Sequence, residues 1–319
     1  MPQPIKIVFI GTGATAPFNL KKMPCIAVKS GRDLILLDLG ECCQIGILKH
    51  KLHPVRSNLY ILLSHLHVDH ISGLLGFLHT LKLASKEGDV WILGPSGTKK
   101  TIEDIIETFV DDPLPFRILI REINLNKSFE HVLTTSYFRI FGFRTTHDVP
   151  SIGYALIERT KPKFNAKLAD NLGIPPSKRK ELLLGKTITL PNGKIVSPKD
   201  VLLPPPVGRK IIYTGDTRPI YNSTILDLFK NCDLLIHDAT YIRERHETLA
   251  EERFHSTIED AIDIALITNT KKLALFHISS RYKDRSIIQD IAIKYLKNKK
   301  NEKTTLEVLI PDDDDVLML

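Results

Sequence analysis

One short segment, Ser64–His70, limits what this chain can fold into more than any other part of it. The segment reads Ser-His-Leu-His-Val-Asp-His and follows the apolar run Leu59–Leu63, which predicts a buried strand. His65 and His67 are two residues apart, so on an extended backbone their side chains project to the same side. Imidazole and carboxylate ligands without thiolate suit zinc, manganese or iron. The segment therefore predicts a catalytic metal site at a strand end, in preference to a His-rich surface loop.

Two metal ions would need more ligands than this segment holds. Asp69 and His70 follow in the turn and could reach a second ion. Elsewhere, three suitable side chains each come just after a strand-like run: His147, Asp216 and His277. Site residues commonly lie where buried strands emerge into loops. Each residue alone could simply be a polar group ending a strand, but together they predict a dinuclear site.

Composition excludes several classes of protein. Hydrophobic residues make up 43% of the 319, as in globular domains, and the length suits one large domain or two ordinary ones. No run approaches the roughly 18 consecutive apolar residues of a membrane span, so we expect no membrane association. The N-terminal run Ile5–Ile10 predicts a first strand and not a signal peptide. Four cysteines without a Cys-x-x-Cys pair fit a reducing compartment, and a cytoplasmic location is expected.

The positive charge of the chain is concentrated in one segment. Residues 158–210 carry a net charge of +8, against +7 for the whole chain, and eight of the nineteen prolines. The segment also separates two strand-like runs. This composition predicts an insertion that projects from the domain, and a basic projection beside a metal site favours a polyanionic substrate. The alternative is an ordinary solvated Lys-rich loop.

Predicted strands and helices alternate along the chain in two similar halves. This pattern indicates an α/β fold and is compatible with two sheets between layers of helices. The predictions include a helix over Ile71–Leu83, a strand over Phe116–Ile120, and a capping box at Ser256–Glu259 that begins a helix. The glycine-rich string Gly11–Ala16, with Asp38 ending a later strand, mimics a dinucleotide fingerprint. Pro17 argues against a helix there, so we predict a tight turn near the metal segment.

The order of the metal-binding motifs resembles the metallo-β-lactamase superfamily, and further strings resemble ribonuclease Z, an endonuclease that matures tRNA 3′ ends. The strings are Phe-Ile-Gly-Thr-Gly at Phe9–Gly13, Thr-Gly-Asp-Thr-Arg-Pro at Thr214–Pro219, His-Ser-Thr at His255–Thr257 and Phe-His-Ile-Ser-Ser-Arg-Tyr at Phe276–Tyr282. The resemblance covers essentially the whole chain, at the length of the family's short form.

The resemblance implies a metallo-β-lactamase-like αββα sandwich over residues 1–319, with residues 158–210 as a protruding basic arm that clamps tRNA. It also implies two Zn²⁺ ions per chain, with Mn²⁺ or Fe²⁺ as other possibilities. His65, His67 and His147 would hold one ion. Asp69, His70 and His277 would hold the other, and Asp216 would bridge them.

The activity implied by the resemblance is cleavage of precursor tRNA 3′ of the discriminator nucleotide, leaving a tRNA 3′-hydroxyl and a trailer 5′-phosphate. Asp69 would also accept a proton, while His255, oriented by Asp238, would donate one to the leaving oxygen. Asp238 stands where the family usually has glutamate, and Met23 where it favours asparagine. A homodimer is implied too. Candidate tRNA contacts are Lys21, Lys22, Lys178, Arg179 and Lys180.

Two alternatives remain open. A small-molecule phosphodiesterase or lactonase of the same superfamily would use the same metal ligands, but it would have a short loop in place of the basic segment. A non-catalytic RNA-binding subunit would lack some ligands, whereas all seven positions are filled. The acidic run Asp312–Asp315 is interpreted as a solvated strand edge or turn and not a third metal site, and Cys42 and Cys43 as core residues.

Overall fold

The computed structural model describes residues 3–110, 112–299 and 305–319, which divide into two compact units. Glu158–Gly208 form the smaller unit, and the remaining described residues form the larger one. The strands are β1 (Lys6–Gly11), β2 (Cys25–Ser30), β3 (Asp33–Leu37), β4 (Asn58–Leu62), β5 (Val90–Gly94), β6 (Ile118–Glu122), β7 (Phe129–Thr134), β8 (Phe138–Arg144), β9 (Ile152–Glu158), β10 (Lys163–Phe164), β11 (Ile188–Thr189), β12 (Ile195–Val196), β13 (Leu202–Leu203), β14 (Lys210–Tyr213), β15 (Leu234–Asp238), β16 (Lys272–Phe276), β17 (Glu307–Leu309) and β18 (Asp315–Met318). The α-helices are α1 (Cys43–Lys49), α2 (Val68–Ile71), α3 (Leu74–Leu83), α4 (Thr98–Phe109), α5 (Ala166–Asn171), α6 (Pro176–Leu183), α7 (Ser223–Phe229), α8 (Arg243–Glu252), α9 (Ile258–Ile267) and α10 (Ser286–Lys299).

The larger unit contains two seven-stranded sheets. The first sheet has the order β18-β1-β2-β3-β4-β5-β6, and the second has the order β17-β16-β15-β14-β9-β8-β7. Side chains from both sheets, such as Ile35 of the first and Ile236 of the second, form one buried cluster between them. The outer face of the first sheet packs against α1, α3 and α4, and that of the second packs against α7, α9 and α10. The predicted α/β fold with two sheets between helix layers is therefore confirmed.

The central strands are apolar on both faces because each face is covered. All five residues of β3 are fully buried, and Tyr154 of β9 donates its hydroxyl across the sandwich to the carbonyl of Leu63, at 2.8 Å. Strands β3 and β4 run parallel, as do β14, β15 and β16. Carboxyl ends of parallel strands lie at one edge of a sheet, which is where α/β folds place their sites. The β8–β9 connection reaches the same edge, because β9 is antiparallel to β14.

The smaller unit has its own structure. Two short antiparallel ribbons, β10–β13 and β11–β12, accompany α5 and α6. A separate apolar cluster, which includes Ala169, Leu182 and Val201, lies at its centre. The basic segment is therefore a folded unit and not a structureless loop. The sequence pattern predicts no helices or strands within it, since its two-residue strands are too short to give a periodic pattern.

Several predicted elements are displaced or missing. The helix predicted over Ile71–Leu83 is interrupted at Gly73, because the N–H of Gly73 donates to the carbonyl of Leu39, at 2.9 Å, and not to a carbonyl of the preceding helical turn. The predicted strand at Phe116–Ile120 is shifted by two residues to β6. Helix α8 was not predicted, since Ala250 is its one buried residue and the sequence has no apolar stripe. No helix of the described residues is long and apolar enough to cross a membrane.

The predicted capping box is also wrong by one residue. Thr257 is the N-cap of α9 and Asp260 its partner, each binding the other's backbone N–H. Ser256 instead donates to the carbonyl of Thr217, and Glu259 accepts from the N–H of Arg243. Of the two adjacent free cysteines, Cys43 is buried as predicted, whereas Cys42 is exposed.

Candidate metal centre

The seven predicted ligands lie together at the common edge of the two sheets. His65 and His67 follow β4 in extended conformation, and Asp69 and His70 lie on the single turn of α2. His147 lies in the β8–β9 connection, Asp216 after β14 and His277 directly after β16. The sheets thus bring together residues more than two hundred positions apart in the sequence.

Three histidines form the first cluster. Nε2 of His65 lies 3.1 Å from Nδ1 of His67, which lies 3.3 Å from Nε2 of His147. Three nitrogens this close together could all contact one cation, and the three histidines form a group able to hold a metal ion. Burial lowers the pKa of His65 well below its usual range, which keeps its imidazole in the neutral form that ligates metals.

A second cluster contains Asp69, His70 and His277, and Asp216 lies near this cluster and near His65 of the first. Oδ2 of Asp216 lies 3.3 Å from Nε2 of His277, 3.5 Å from Nε2 of His70 and 4.0 Å from Nε2 of His65. Oδ2 of Asp69 lies 3.4 Å from Nε2 of His277 and 3.6 Å from Nε2 of His70. Asp216 is therefore placed between the two groups, with Asp69, His70 and His277 on one side of it.

The ring nitrogens that face away from this centre are held by neighbouring groups. Nδ1 of His65 lies 2.9 Å from the hydroxyl of Ser64, and Nδ1 of His147 lies 3.1 Å from the carbonyl of Phe254. Nδ1 of His277 lies 3.0 Å from the hydroxyl of Thr240. Such outer hydrogen bonds fix the tautomer and the ring orientation of metal-binding histidines.

Asp38 has the largest set of these outer contacts. Its fully buried carboxylate accepts bonds from the backbone N–H and hydroxyl of Ser64, at 2.6 and 2.7 Å, and from the Tyr213 hydroxyl at 2.5 Å. Nδ1 of His70 lies 2.7 Å from the same carboxylate. Asp38 thus joins both sheets and holds His70 with Nε2 directed at the ligand cluster.

Nε2 of His70 provides a test of whether a metal fits. This atom is buried and has no hydrogen-bond partner among the described residues, although such atoms are rarely left unpaired. Burial alone would lower the pKa of His70, but Asp216 and Asp38 raise it well above its usual range. Buried carboxylates around a nitrogen of this kind form a negatively charged site that suits a bound cation. The donor set of imidazoles and carboxylates therefore fits a pair of divalent metal ions.

His255 and Asp238 form a separate pair beside the cluster. Asp238 ends β15 and is fully buried, with Oδ2 at 2.8 Å from Nδ1 of His255. The same carboxylate accepts the backbone N–H groups of Thr217 and Thr240, so its position is fixed. Burial opposes protonation of His255, but Asp238, followed by Asp216, raises its pKa to about 9. The shorter aspartate still reaches the histidine.

None of the five candidate tRNA contacts belongs to the groups of side chains able to hold a metal ion among the described residues. Lys21 and Lys22 pair with Asp312 and Asp314 of the C-terminal turn. In the smaller unit, Lys178 pairs with Glu181 and Arg179 with Asp170, and Lys180 is exposed. The acids of the run Asp312–Asp315 therefore bind basic side chains and backbone groups, and the run is a turn that leads into β18 at Asp315.

Sequence reasoning missed two residues near the ligands. Asp38 has the same signal as the proposed ligands, a carboxylate directly after a buried strand, but in the sequence it also matches the acidic residue of the apparent nucleotide fingerprint. Asp148 follows a ligand directly, and its Oδ1 lies 3.1 Å from Nε2 of His147 and 3.6 Å from Nε2 of His67. Nothing in the sequence alone distinguishes Asp148 from any exposed loop acid.

Comparisons with known proteins agree with this arrangement. A family model described as the beta-lactamase superfamily domain matches residues 205–278. Among solved structures, the short form of human tRNase Z superposes with a TM-score of 0.67 at 23% identity, covering 98% of each chain. A metallo-beta-lactamase fold protein from Bacillus subtilis superposes with a TM-score of 0.65 at 17% identity, covering 99% of each. These two likenesses establish the fold.

Curated relatives are more similar in sequence. Ribonuclease Z of Methanococcus aeolicus is 33% identical over 312 residues, which are 97% of this chain and 96% of the relative. Ribonuclease Z of Archaeoglobus fulgidus is 36% identical over 297 residues, which are 92% of this chain and 94% of the relative. Identity at this level over almost the full length of both proteins shows a common family. The chain belongs to the ribonuclease Z family.

Proposed function

We propose that this chain is a metal-dependent endoribonuclease that cleaves precursor tRNA 3′ of the discriminator nucleotide. The cut leaves a 3′-hydroxyl on the tRNA and a 5′-phosphate on the trailer. The observation that supports this proposal most directly is the buried Nε2 of His70. This atom has no hydrogen-bond partner among the described residues and lies within a cluster of seven side chains able to bind metal. Membership of the ribonuclease Z family supplies the reaction class and the substrate. A cytoplasmic location accords with that substrate.

The ligand assignment follows the distances within the cluster. His65, His67 and His147 would hold one ion, Asp69, His70 and His277 the other, and Asp216 would contact both. Zinc is the metal that this nitrogen-rich set favours, and manganese or iron would fit the same donors. Two such ions, when bound, lower the pKa of water and neutralise charge on the scissile phosphate.

The protein's own groups would handle the proton transfers. Nδ1 of His255 is engaged by Asp238, so Nε2 is the nitrogen free to give a proton to the leaving 3′-oxygen. The raised pKa of His255 keeps it protonated at neutral pH, as a general acid requires. Asp69, whose side chain is more exposed than that of Asp216, would accept a proton from water. Its pKa lies well below the usual range, because hydrogen bonding and charge from His277 and His70 outweigh its burial.

The smaller unit, Glu158–Gly208, is proposed to bind the body of the tRNA. Its cationic side chains include Lys167, Lys180 and Lys186, all exposed, and its folded core gives them fixed positions. Contacts of this kind hold phosphates without reading sequence, so their strength falls steeply with salt. We also propose that the active form is a homodimer, which light scattering on the purified chain would test.

The central experiment is cleavage of a precursor tRNA carrying a 3′ trailer, with products mapped at nucleotide resolution. Wild type should make one cut after the discriminator base, and Asp69→Ala should make none. A second variant would replace Glu158–Gly208 by a short glycine-serine linker. It should lose precursor cleavage but still hydrolyse a small chromogenic phosphodiester, because the ligand set is intact.

The two substrates distinguish the proposal from its rival. If wild type hydrolyses the small phosphodiester but leaves precursor tRNA uncut, the chain is a small-molecule hydrolase. If the linker variant cleaves both substrates as well as wild type does, the smaller unit has no role in tRNA binding. Thr187→Ala, which truncates an exposed uncharged side chain of the same unit, is the control and should leave both activities intact.

A further inference from the structure

A loop near the N-terminus makes a direct contact with a proposed metal ligand. This loop, Gly11–Met23, will be called the glycine loop. The backbone N–H of Thr15 donates to Oδ2 of Asp69 at 3.0 Å. Thr15 has a left-handed backbone, with φ of 59°, which a β-branched residue rarely adopts without support from its surroundings. The contact therefore depends on whatever holds the glycine loop in place.

The two ends of the glycine loop meet at its base. Gly13 donates to the carbonyl of Lys22 at 2.9 Å. A β-carbon at Gly11 would lie 1.9 Å from the carbonyl oxygen of Met23, so the two chain segments are in tight contact and glycine is required there. Because the two segments are so close at this base, a single side chain can form hydrogen bonds to both of them.

Asp313, from the turn before β18, occupies that position. Its Oδ1 accepts the backbone N–H and the hydroxyl of Thr12, at 2.9 and 2.8 Å. Its Oδ2 accepts the backbone N–H of Lys22 at 2.7 Å. One carboxylate thus binds the outgoing and the returning segment of the glycine loop through three hydrogen bonds.

The turn that carries Asp313 is itself well anchored. The backbone N–H of Asp314 donates to the carbonyl of Phe9 at 2.7 Å, and β18 pairs with β1 along four residues. The Asp314 carboxylate binds Lys22 and Lys49, each at 2.7 Å, and Nε2 of His50 at 3.1 Å. Asp313 is therefore presented by a rigid part of the first sheet.

We propose that Asp313 is a positioning residue for the metal centre. It acts through the base of the glycine loop on the Thr15 N–H, and through that N–H on the Asp69 carboxylate. This inference rests on the proposed role of Asp69 as a metal ligand. Outer partners of metal ligands change metal affinity or activity by about 10- to 100-fold when they are lost.

The chemistry requires a carboxylate at position 313. Both oxygens accept, and two of the three donors are backbone N–H groups that cannot rotate away. An asparagine offers one acceptor oxygen, and its amide would face either the Thr12 or the Lys22 N–H with a second donor. Asp313→Asn should therefore release one segment of the loop base. Thr12→Val removes one donor and keeps the carboxylate, so it should have a smaller effect in the same direction.

The test uses Asp313→Asn in the full chain, with Asp290→Asn on the exposed face of α10 as the matched control. Metal affinity would be measured by competition with a chromophoric chelator, and ligand geometry from the visible spectrum of the Co²⁺-substituted protein. We expect metal binding about 10-fold weaker and a changed Co²⁺ spectrum in Asp313→Asn. The KM for the small chromogenic phosphodiester should stay within about twofold, because that substrate does not depend on the candidate tRNA contacts Lys21 and Lys22 of the same loop. The control should match wild type throughout.

Two results would overturn the inference. One is a folded Asp313→Asn protein with wild-type metal affinity and Co²⁺ spectrum. The other is an unchanged Co²⁺ spectrum in Asp69→Ala, since the chain of contacts would then end at a residue outside the centre. If Asp313→Asn fails to fold, a wild-type metal affinity in Thr12→Val would overturn the inference in its place. If the metal effects occur but wild type leaves precursor tRNA uncut, the proposed function fails while the positioning role stands.

Discussion

The contacts of Asp38 lead to a prediction about the tautomer of His70, a proposed metal ligand. In Asp38→Asn, the amide oxygen should take the place of Oδ1, because the Ser64 N–H that it accepts cannot rotate. The amide nitrogen then replaces Oδ2 and donates where the carboxylate accepted. Nδ1 of His70, 2.7 Å away, must become an acceptor, and its proton moves to Nε2. A protonated Nε2 has no lone pair for a metal ion.

The magnitude follows from these contacts. Loss of a partner that sets a ligand's tautomer costs about 10- to 100-fold in metal affinity, which corresponds to about 1.4–2.8 kcal/mol. The hydroxyls of Ser64 and Tyr213 can turn to accept from the amide, so they limit the loss of stability. We expect a decrease of about 1–3 kcal/mol in the free energy of unfolding of the metal-free protein, the usual cost of one poorly satisfied buried group.

Asp33, the first residue of the strand that Asp38 follows, provides a matched control. It is also fully buried and accepts two bonds, from the side chain of Asn58 at 2.9 Å and the N–H of Tyr137 at 3.0 Å. It lies five residues before Asp38, about 17 Å away along an extended strand. Asp33→Asn should therefore lose a similar free energy of unfolding while its metal affinity stays at the wild-type value.

Both quantities are measurable on the same samples. Urea unfolding of chelator-treated protein gives the stability, and competition with a chromophoric chelator gives the metal affinity. Wild-type metal affinity in Asp38→Asn would refute the tautomer argument. Equal losses of metal affinity in Asp33→Asn and Asp38→Asn would show that general destabilisation, and not the contact with His70, is the cause.

Three further predictions concern other parts of the structure. His255→Ala should lower kcat for precursor cleavage by about 10²-fold or more with unchanged metal content, as loss of a general acid does; an unaltered kcat would remove this residue from the mechanism. Gly40→Ala places a β-carbon 2.2 Å from the carbonyl oxygen of Asp69 and should cost about 1–3 kcal/mol by urea unfolding, with weaker metal binding. Gly76→Ala, where the β-carbon meets a flexible glutamine side chain, is its control and should not destabilise. Partial burial opposes the charge of Asp314, but bonds to two lysines and a histidine lower its pKa to about 2, from 3.8. The stability that Asp314 contributes should be complete above about pH 5 and lost as the pH falls toward 2, so wild type and Asp314→Asn should have the same free energy of unfolding near pH 2. A difference in that free energy that persists near pH 2 would contradict the assigned ion pairs.

Prediction from sequence succeeded where the signal was local. Strands such as β4 and β16 are continuous apolar runs that end in a ligand, and both were predicted within a residue or two. Helix α8 and strand β18 were missed, because their stability comes from contacts distant in sequence and not from an apolar period. The break between α2 and α3 was missed for the same reason, since it results from the hydrogen bond that Gly73 donates to the carbonyl of Leu39.

The sequence by itself determined which groups could bind metal and that they would lie in the segments that follow buried strands, because both depend on residue type and short-range pattern. Only the tertiary structure decided how the ligands are held. Asp38 contacts His70 across 32 residues, Asp238 contacts His255 across 17, and Asp313 reaches the glycine loop across about 300. Such contacts depend on which strands become neighbours in the two sheets, and no local pattern of residues specifies that pairing. The residue types of the centre can thus be predicted from the sequence, whereas their geometry depends on the packing of the two sheets.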